Sequence, residues 1–306
     1  MGRGALALTA AGAALGAGAA AWAIGVERRR FVLRRLELPV LEPGSAPLRI
    51  LHLADQHLAP GQRKKIDFVR SLAGVDPDLV VSTGDNLGHR DALPSLREML
   101  EPFAGVPGLS VFGSNDYYGP VLKSPLTYLR RSTKKVERPR DLDTDGLRAL
   151  LLDELGWTDL SNGAAIVEAG GRRIRAIGVD DPHIKADRID EAAAALERVS
   201  AAGEWDLTLG LVHAPYRRIL DDYAAERGVA AIFAGHTHGG QVCLPGKRAI
   251  VTNCDLPREH GGGLTTWMRG GAAVPLHVSR GLGTSIYQPF RLFCPPEATL
   301  VTLVAR

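Results

Sequence analysis

The sequence predicts an α/β fold, and two observations carry that expectation. Short runs rich in Val, Ile and Leu alternate with stretches of helical periodicity, and each run ends on a polar residue. Runs apolar on both faces mark strands buried inside a mostly parallel sheet, and the helices between them supply the crossovers that parallel pairing needs. Composition agrees: 45% of the 306 residues are apolar and 23% charged, which is ordinary for a globular chain and excludes a disordered chain, a collagen and a coiled coil. The length allows one large domain or two small ones, with a core that needs no disulfides. Gly (35) and Pro (19) are in excess, which suggests many tight turns. A net charge of +3 is too small to argue for nucleic acid, and no nucleic-acid partner is expected. The three cysteines, Cys243, Cys254 and Cys294, form no C-x-x-C pair, so neither a disulfide framework nor a Cys-rich zinc site is expected. A reducing compartment fits them, with one bridge and a free thiol left open.

The chain begins with 23 residues, Gly4 to Val26, that carry no charge. As a helix this run reaches about 35 Å, enough for a hydrocarbon core of about 30 Å. It is expected to be one transmembrane helix, an uncleaved single-pass anchor in the cell membrane with the lipid bilayer as partner. A signal peptide cleaved near Ala21-Trp22-Ala23 is the rival reading. Only Arg3 precedes the run, whereas Arg28, Arg29, Arg30, Arg34 and Arg35 follow it, so the positive-inside rule puts the rest of the chain on the cytoplasmic side. The expected organisation is a membrane anchor over 1–26, a juxtamembrane strand and linker over 27–47, and a globular domain over 48–306.

The elements follow in order. Phe31–Val40 alternates as a strand, and Glu42-Pro-Gly-Ser-Ala-Pro47 is a linker by composition. Strands are predicted at Leu48–Ala54, Leu79–Thr83, Leu109–Phe112, Leu207–Val212 and Ala230–Ala234. Helices are predicted at about Lys64–Ala73, Leu93–Phe103, Ala192–Ser200 and Arg217–Arg227. Ile166–Ile177, with Gly170-Gly171 in its middle, reads as a β-hairpin. Ala273–Ser279 and Ala298–Val304 read as strands. Lys123–Arg140 is basic and reads as an inserted loop or short helix, either a solvated face or a contact for phosphate groups.

The chemistry lies at the strand ends, where open α/β sheets form their ligand sites. The first run delivers Asp55 and His57, the second Asp85, the third Ser114-Asn115-Asp116, the fourth His213 and the fifth His236 and His238. One such residue is usually a helix cap or a satisfied polar group; Asp and His converging from several strand ends are not. Carboxylate oxygen and imidazole nitrogen suit Zn, Mn or Fe. Two such cations sharing an Asp can clamp an in-line displacement at phosphorus.

In this order the motifs resemble the calcineurin-like metallophosphoesterases, whose pattern is D-x-H, G-D, G-N-H-D, H and G-H-x-H. The match spans about residues 48–245. Gly239-Gly240-Gln241, Leu244-Pro245-Gly246, Ser279-Arg280-Gly281-Leu282-Gly283-Thr284 and Cys294-Pro295-Pro296-Glu297 are similar to a membrane-associated, YkuE-like branch that includes enzymes cleaving UDP-diacylglucosamine. The resemblance implies a four-layer α/β/β/α sandwich over 48–306 and two divalent metal ions. It implies that Asp55, His57 and His238 hold one metal, that Asp85 bridges, and that His213 and His236 hold the other. A metal-bridging hydroxide would then attack a phosphate-containing substrate, with Asp85, Asn115 and His213 as the catalytic set.

The chain departs from the pattern at one motif. G-N-H-D reads Gly113-Ser114-Asn115-Asp116: Ser114 takes the place of the Asn ligand and Asn115 that of the His that protonates the leaving oxygen. Either Asn115 supplies an amide oxygen to the second metal or that metal lacks a ligand. An amide is no general acid. A leaving group of low pKa is therefore expected, unless His183 or His260 substitutes. Asn86 reads as a helix cap or a substrate contact, Asp180-Asp181-Pro182-His183 as a plain turn or part of the site rim, and Tyr117 and Tyr118 as core or as stacking partners. A metal-dependent phosphoesterase is the leading function. A metal-binding but catalytically silent membrane scaffold or sensor is the alternative. A lipid-linked pyrophosphate, a nucleotide-sugar lipid and a soluble phosphoester all stay open as substrates.

Overall fold

The computed structural model describes residues 3–121, 139–244, 246 and 248–306. The chain enters through helix α1 (Arg3–Ala21), continued by one wide turn to Val26. Strand β1 (Val32–Leu41) follows, then β2 (Leu48–Leu53), α2 (Arg63–Ser71), β3 (Leu79–Ser82), α3 (Leu93–Leu100) and β4 (Gly108–Ser110). After them come α4 (Thr144–Ala149), β5 (Thr158–Asp159), β6 (Gly163–Ala169), β7 (Arg172–Val179), α5 (Ile189–Ala201), β8 (Leu207–Val212), α6 (Arg217–Glu226) and β9 (Ala231–Ala234). The chain closes with β10 (Cys243–Leu244), β11 (Arg248–Ala249), β12 (Gly263–Arg269), β13 (Ala272–Val278) and β14 (Glu297–Ala305).

Among the described residues these strands make two six-stranded sheets, ordered β1-β14-β2-β3-β4-β5 and β12-β13-β9-β8-β7-β6, and the small β10-β11 ladder. In the first sheet β2, β3, β4 and β5 run parallel, with β14 antiparallel to β2 and β1 parallel to β14. In the second, β7, β8, β9 and β13 are parallel and antiparallel strands flank them. The predicted hairpin is the β6–β7 pair, and both Gly170 (φ 55°) and Gly171 (φ 71°) sit in the left-handed region that a two-residue turn of this twist demands.

Three apolar layers hold the sheets and helices together. Ile50, Val81 and Val111 of the first sheet meet Ala176, Leu209 and Phe233 of the second between the sheets. On the outer side of the first sheet Leu51 and Val80 pack on Val69, Leu96 and Leu147 of the helices. On the outer side of the second Ile177, Val212 and Ile232 pack on Leu196, Ile219 and Tyr223. Strands that bury both faces contribute apolar residues to two layers at once, each side chain worth about 1.5–3 kcal/mol. The result is the α/β/β/α sandwich. The β12 strand and the α4 helix were not expected; β12 exposes alternate residues, and α4 lies beyond the basic stretch 123–140, most of which falls outside the described residues.

The N-terminus needs a correction. Residues 3–26 are helical, but among the described residues no helix is long and apolar enough to cross a membrane. Helix α1 is made mainly of Ala and Gly. Its foot is docked on the domain. Ala23 is buried, and its carbonyl accepts from Arg291 N at 3.1 Å. The buried Glu27 carboxylate accepts from Trp22 Nε1 at 2.9 Å and from Cys294 N at 2.6 Å. All three cysteines are free thiols.

A buried histidine pair crosses between the sheets. His52 of β2 and His277 of β13 meet Nδ1 to Nδ1 at 2.9 Å, and His52 Nε2 meets Thr83 Oγ1 at 2.9 Å. Burial holds His52 well below the usual imidazole range and His277 down at about 4, with Arg280 lowering the latter and Glu297 opposing. A pair of rings can share one proton between the two Nδ1 atoms while at least one ring is neutral; once both are charged, neither can accept. Because the folded values lie below the unfolded one, the unfolded chain binds more protons, and stability falls as pH drops from about 6.5 towards 4. The melting temperature is expected to fall across that window, and His277→Gln is expected to flatten the fall. A variant with the wild-type pH slope would remove this pair as its source.

Candidate metal centre

Every predicted ligand lies where a strand of one sheet faces a strand of the other. β2 delivers Asp55 and His57, β3 delivers Asp85, the loop after β4 delivers Asn115, β8 delivers His213 and β9 delivers His236 and His238. The backbone turns sharply at these ends. Asp55 (φ 49°), His57 (φ 39°), Asp85 (φ 53°), His236 (φ 68°) and His238 (φ 50°) all occupy the left-handed region. Each such residue costs of order 1–3 kcal/mol, and their clustering marks a site the surrounding fold holds in place. Gly113 permits the closest approach: a Cβ there would stand 2.4 Å from Asp85 Oδ1 and 2.7 Å from His213 Cε1.

Two donor groups result. Asp55, His57 and His238 form one, and Asp55, Asp85 and His213 the other, with the ligand atoms of each within 4.8 Å of one another. His57 Nε2 lies 3.2 Å from His238 Nε2. Asp85 Oδ2 lies 3.4 Å from His57 Nε2 and 3.5 Å from His213 Nε2, so it faces both groups. His236 Nδ1 adds a nitrogen 3.3 Å from His213 Nε2. These spacings are the edges of a coordination polyhedron whose bonds are about 2.0–2.2 Å long. The donor set therefore fits two divalent cations of the Zn, Mn or Fe type.

The neighbours aim the ligands. His213 Nδ1 donates to Thr83 O at 2.7 Å and His236 Nε2 to Asn253 O at 3.3 Å, which leaves the opposite nitrogen of each ring turned inward. Asp55 accepts from His236 N with both oxygens, at 3.0 and 3.1 Å. Asp116 is buried and accepts from Asp85 N, Asn86 N and Gly113 N at 2.7–2.9 Å, pinning the β3 and β4 loops together. Asn86 is neither cap nor substrate contact; its amide donates to Asp116. Asn115 donates to Asp85 twice, from N at 2.7 Å and from Nδ2 at 2.8 Å.

Electrostatics points the same way. Burial, with Asp85 next to it, pushes the Asp55 carboxyl up to about 7 against the pull of His213. Burial works against Asp85 too, but the charge and contact of His213, then His57 and the Asn115 amide, hold it well below the carboxylate range. Burial keeps His57 at about 4 and His236 and His238 well below their usual value, so these rings stay neutral with lone pairs free. His213 is the exception: burial opposes it, but Asp85 and Asp181 hold it charged without metal, and a cation would take that proton's place.

Arg291 is the residue that sequence reasoning missed. It is fully buried and donates from Nη2 to Gly283 O at 2.6 Å and Arg280 O at 2.8 Å, while lying 3.4 Å from His238 Nδ1. Gly283 N in turn donates to Asp55 O at 2.6 Å. Nothing in its local sequence distinguishes it from a surface arginine. Of the two histidines considered as substitute acids, His183 stands at the site, its ring 4.5 Å from that of His236. His260 instead contacts Thr265 and Trp267. Tyr117 is core: it is buried, packs on Phe112 and donates to Asp180 Oδ2 at 2.8 Å.

Comparison with known proteins agrees with this geometry. Residues 48–240 match the family model of the calcineurin-like phosphoesterases. The chain is 28% identical over 272 residues to protein YpbG of Bacillus subtilis (strain 168), covering 85% of this chain and 82% of that one. It is 28% identical to the metallophosphoesterase YkuE of the same organism, covering 74% and 68%. It is 26% identical to phosphodiesterase YaeI of Escherichia coli (strain K12), covering 90% and 88%. The chain belongs to the calcineurin-like phosphoesterase family and is a metal-dependent phosphoester hydrolase.

Proposed function

We propose that the site hydrolyses an activated phosphoester or a phosphoanhydride with two divalent cations. The observation that carries this reading is Asp85 Oδ2, buried 3.4 Å from one imidazole of the first donor group and 3.5 Å from one of the second. Bound at those positions, the cations lower the pKa of water and offset charge on the phosphate oxygens. The chain supplies the rest. Asp55, His57 and His238 hold the first cation; His213 and His236 hold the second; Asp85 serves both. Asn115 orients Asp85 through its two donated bonds. The catalytically silent alternative gains no support, since a scaffold has no need of a shared carboxylate held by strained backbone.

Attachment to a bilayer is also proposed, with the domain on the cytoplasmic side. Its support is the helix itself: residues 12–22 are all exposed and uncharged, with Trp22 at the foot and Arg28 to Arg30 just beyond. The full chain is expected to sediment with vesicles of anionic phospholipid and to lose that behaviour when residues 3–21 are deleted. Equal sedimentation of both forms would remove the helix from this role.

The dinuclear reading is tested with Asp85→Ala. Wild-type chain dialysed against Mn is expected to retain two metals and to hydrolyse an aryl phosphodiester. The variant is expected to lose both the second metal and nearly all turnover. Two metals retained by the variant would defeat the shared-carboxylate assignment.

The leaving-group preference follows from Asn115. An amide cannot protonate the departing oxygen, and general-acid assistance is typically worth about 10²–10⁴-fold. Aryl and anhydride bonds should therefore break much faster than alkyl esters. Asn115→His is expected to help alkyl esters most if Asn115 only orients Asp85. Equal wild-type rates for alkyl and aryl substrates, with chemistry limiting, would show that another group supplies the proton.

A further inference from the structure

The turn after β7 starts beside the second donor group. β7 runs parallel to β8 with Val179 opposite Val212, so Asp180 and Asp181 leave the sheet beside His213. Two residues further on, His183 packs its ring 4.5 Å from the ring of His236. Asp181 is thus built into a turn that touches the surroundings of both histidines of that group. It is fully buried. Its Oδ1 accepts from His183 N at 2.8 Å, and its Oδ2 has no hydrogen-bond partner among the described residues. A buried carboxylate oxygen with no donor is among the costliest groups a fold can carry, and such an atom calls for an ion or a water. The charged groups that act on it are His213, Asp85 and Asp180, and burial pushes its carboxyl up to about 7. Two of those three neighbours are themselves acids, which sharpens the need for a cation.

The same group departs from the family pattern at one oxygen ligand. Position 114 carries a serine where the family pattern has asparagine, and the Asn115 amide nitrogen is engaged with Asp85 Oδ2 at 2.8 Å. Asp55, Asp85 and His213 lie together in this group, and His236 Nδ1 adds a nitrogen 3.3 Å from His213 Nε2. Resting on the dinuclear reading above, we propose that Asp181 Oδ2 is an oxygen ligand of the second cation, in place of the ligand that Ser114 does not provide. A carboxylate oxygen added to two imidazoles and a shared carboxylate would make a donor set that Zn, Mn and Fe accept. Pro182, fixed at the turn, and the Oδ1 bond to His183 N leave one oxygen of Asp181 free for this purpose.

The test is Mn binding to the full chain, followed by calorimetric titration, by metal analysis after dialysis and by the spin-coupled signal of a paired Mn centre. Wild type is expected to bind two Mn per chain with the coupled signal. Asp181→Ala is expected to keep the first Mn, to bind the second at least tenfold more weakly and to lose the coupled signal. Asp181→Asn, which preserves shape and the bond to His183 N, is expected to weaken the second Mn severalfold, and it decides the matter if the alanine variant does not fold. Adding Ser114→Asn to Asp181→Ala is expected to restore the second Mn. Wild-type affinity for the second Mn in the Asp181 variants would overturn the assignment, as would a double variant that recovers nothing. A wild-type chain that binds only one Mn would instead overturn the dinuclear reading on which the proposal rests.

Discussion

The architecture depends on how a buried Asp85 is kept tolerable. It sits where the two sheets meet, with His57 from the first sheet and His213 from the second both within 3.5 Å of one oxygen. An isolated carboxylate at that depth would neutralise itself by taking up a proton. Here the imidazoles and the two Asn115 donors keep it ionised. The sheets consequently cannot slide or separate at this end without exposing an unpaired charge. The apolar contact between the sheets supplies most of the cohesion, but it is non-directional. The carboxylate and its partners fix the register that cohesion leaves free.

Asp116 extends the same logic into the backbone. Its carboxylate collects amides from Asp85, Asn86 and Gly113, which belong to two different strand ends. One side chain therefore sets the distance between the β3 and β4 loops. That distance is small enough that Gly113 has no room for a side chain against Asp85 and His213. The left-handed conformations of Asp55, His57, Asp85, His236 and His238 are affordable only in such a frame, because each loop is held at more than one point.

The sheet and the candidate ligand positions were legible in the sequence for a physical reason. Strands buried on both faces must be apolar throughout, so the polar residue where each one stops stands out: Asp55, Asp85, His213 and His236 are legible from that boundary alone. The β6–β7 turn was legible because two glycines in succession have few other uses. β12 was not, since its exposed positions break the apolar run. Arg291 was invisible because its role comes from backbone carbonyls supplied by distant turns, and no local pattern encodes those. The N-terminal run is a different case. Absence of charge over 23 residues reads as a span, whereas among the described residues no helix is long and apolar enough to cross a membrane.

The foot of that helix matters more to the site than its length does. Ala23 O and Glu27 hold the backbone of Arg291 and Cys294. From the same short loop, Arg291 reaches His238 and the Gly281–Gly283 carbonyls, and Cys294 Sγ reaches His238 O at 3.2 Å. Gly283 N then bonds Asp55 O. Two of the three donors proposed for the first cation are therefore backed by a loop that the N-terminal segment fastens. The buried Glu27 carboxylate has two donors, Trp22 Nε1 and Cys294 N, and meets the second because the chain before β1 folds back onto this loop. The segment that precedes the residues matching the family model is thus part of the wall behind one donor group, and the sandwich and its N-terminal extension form one continuous support for the site.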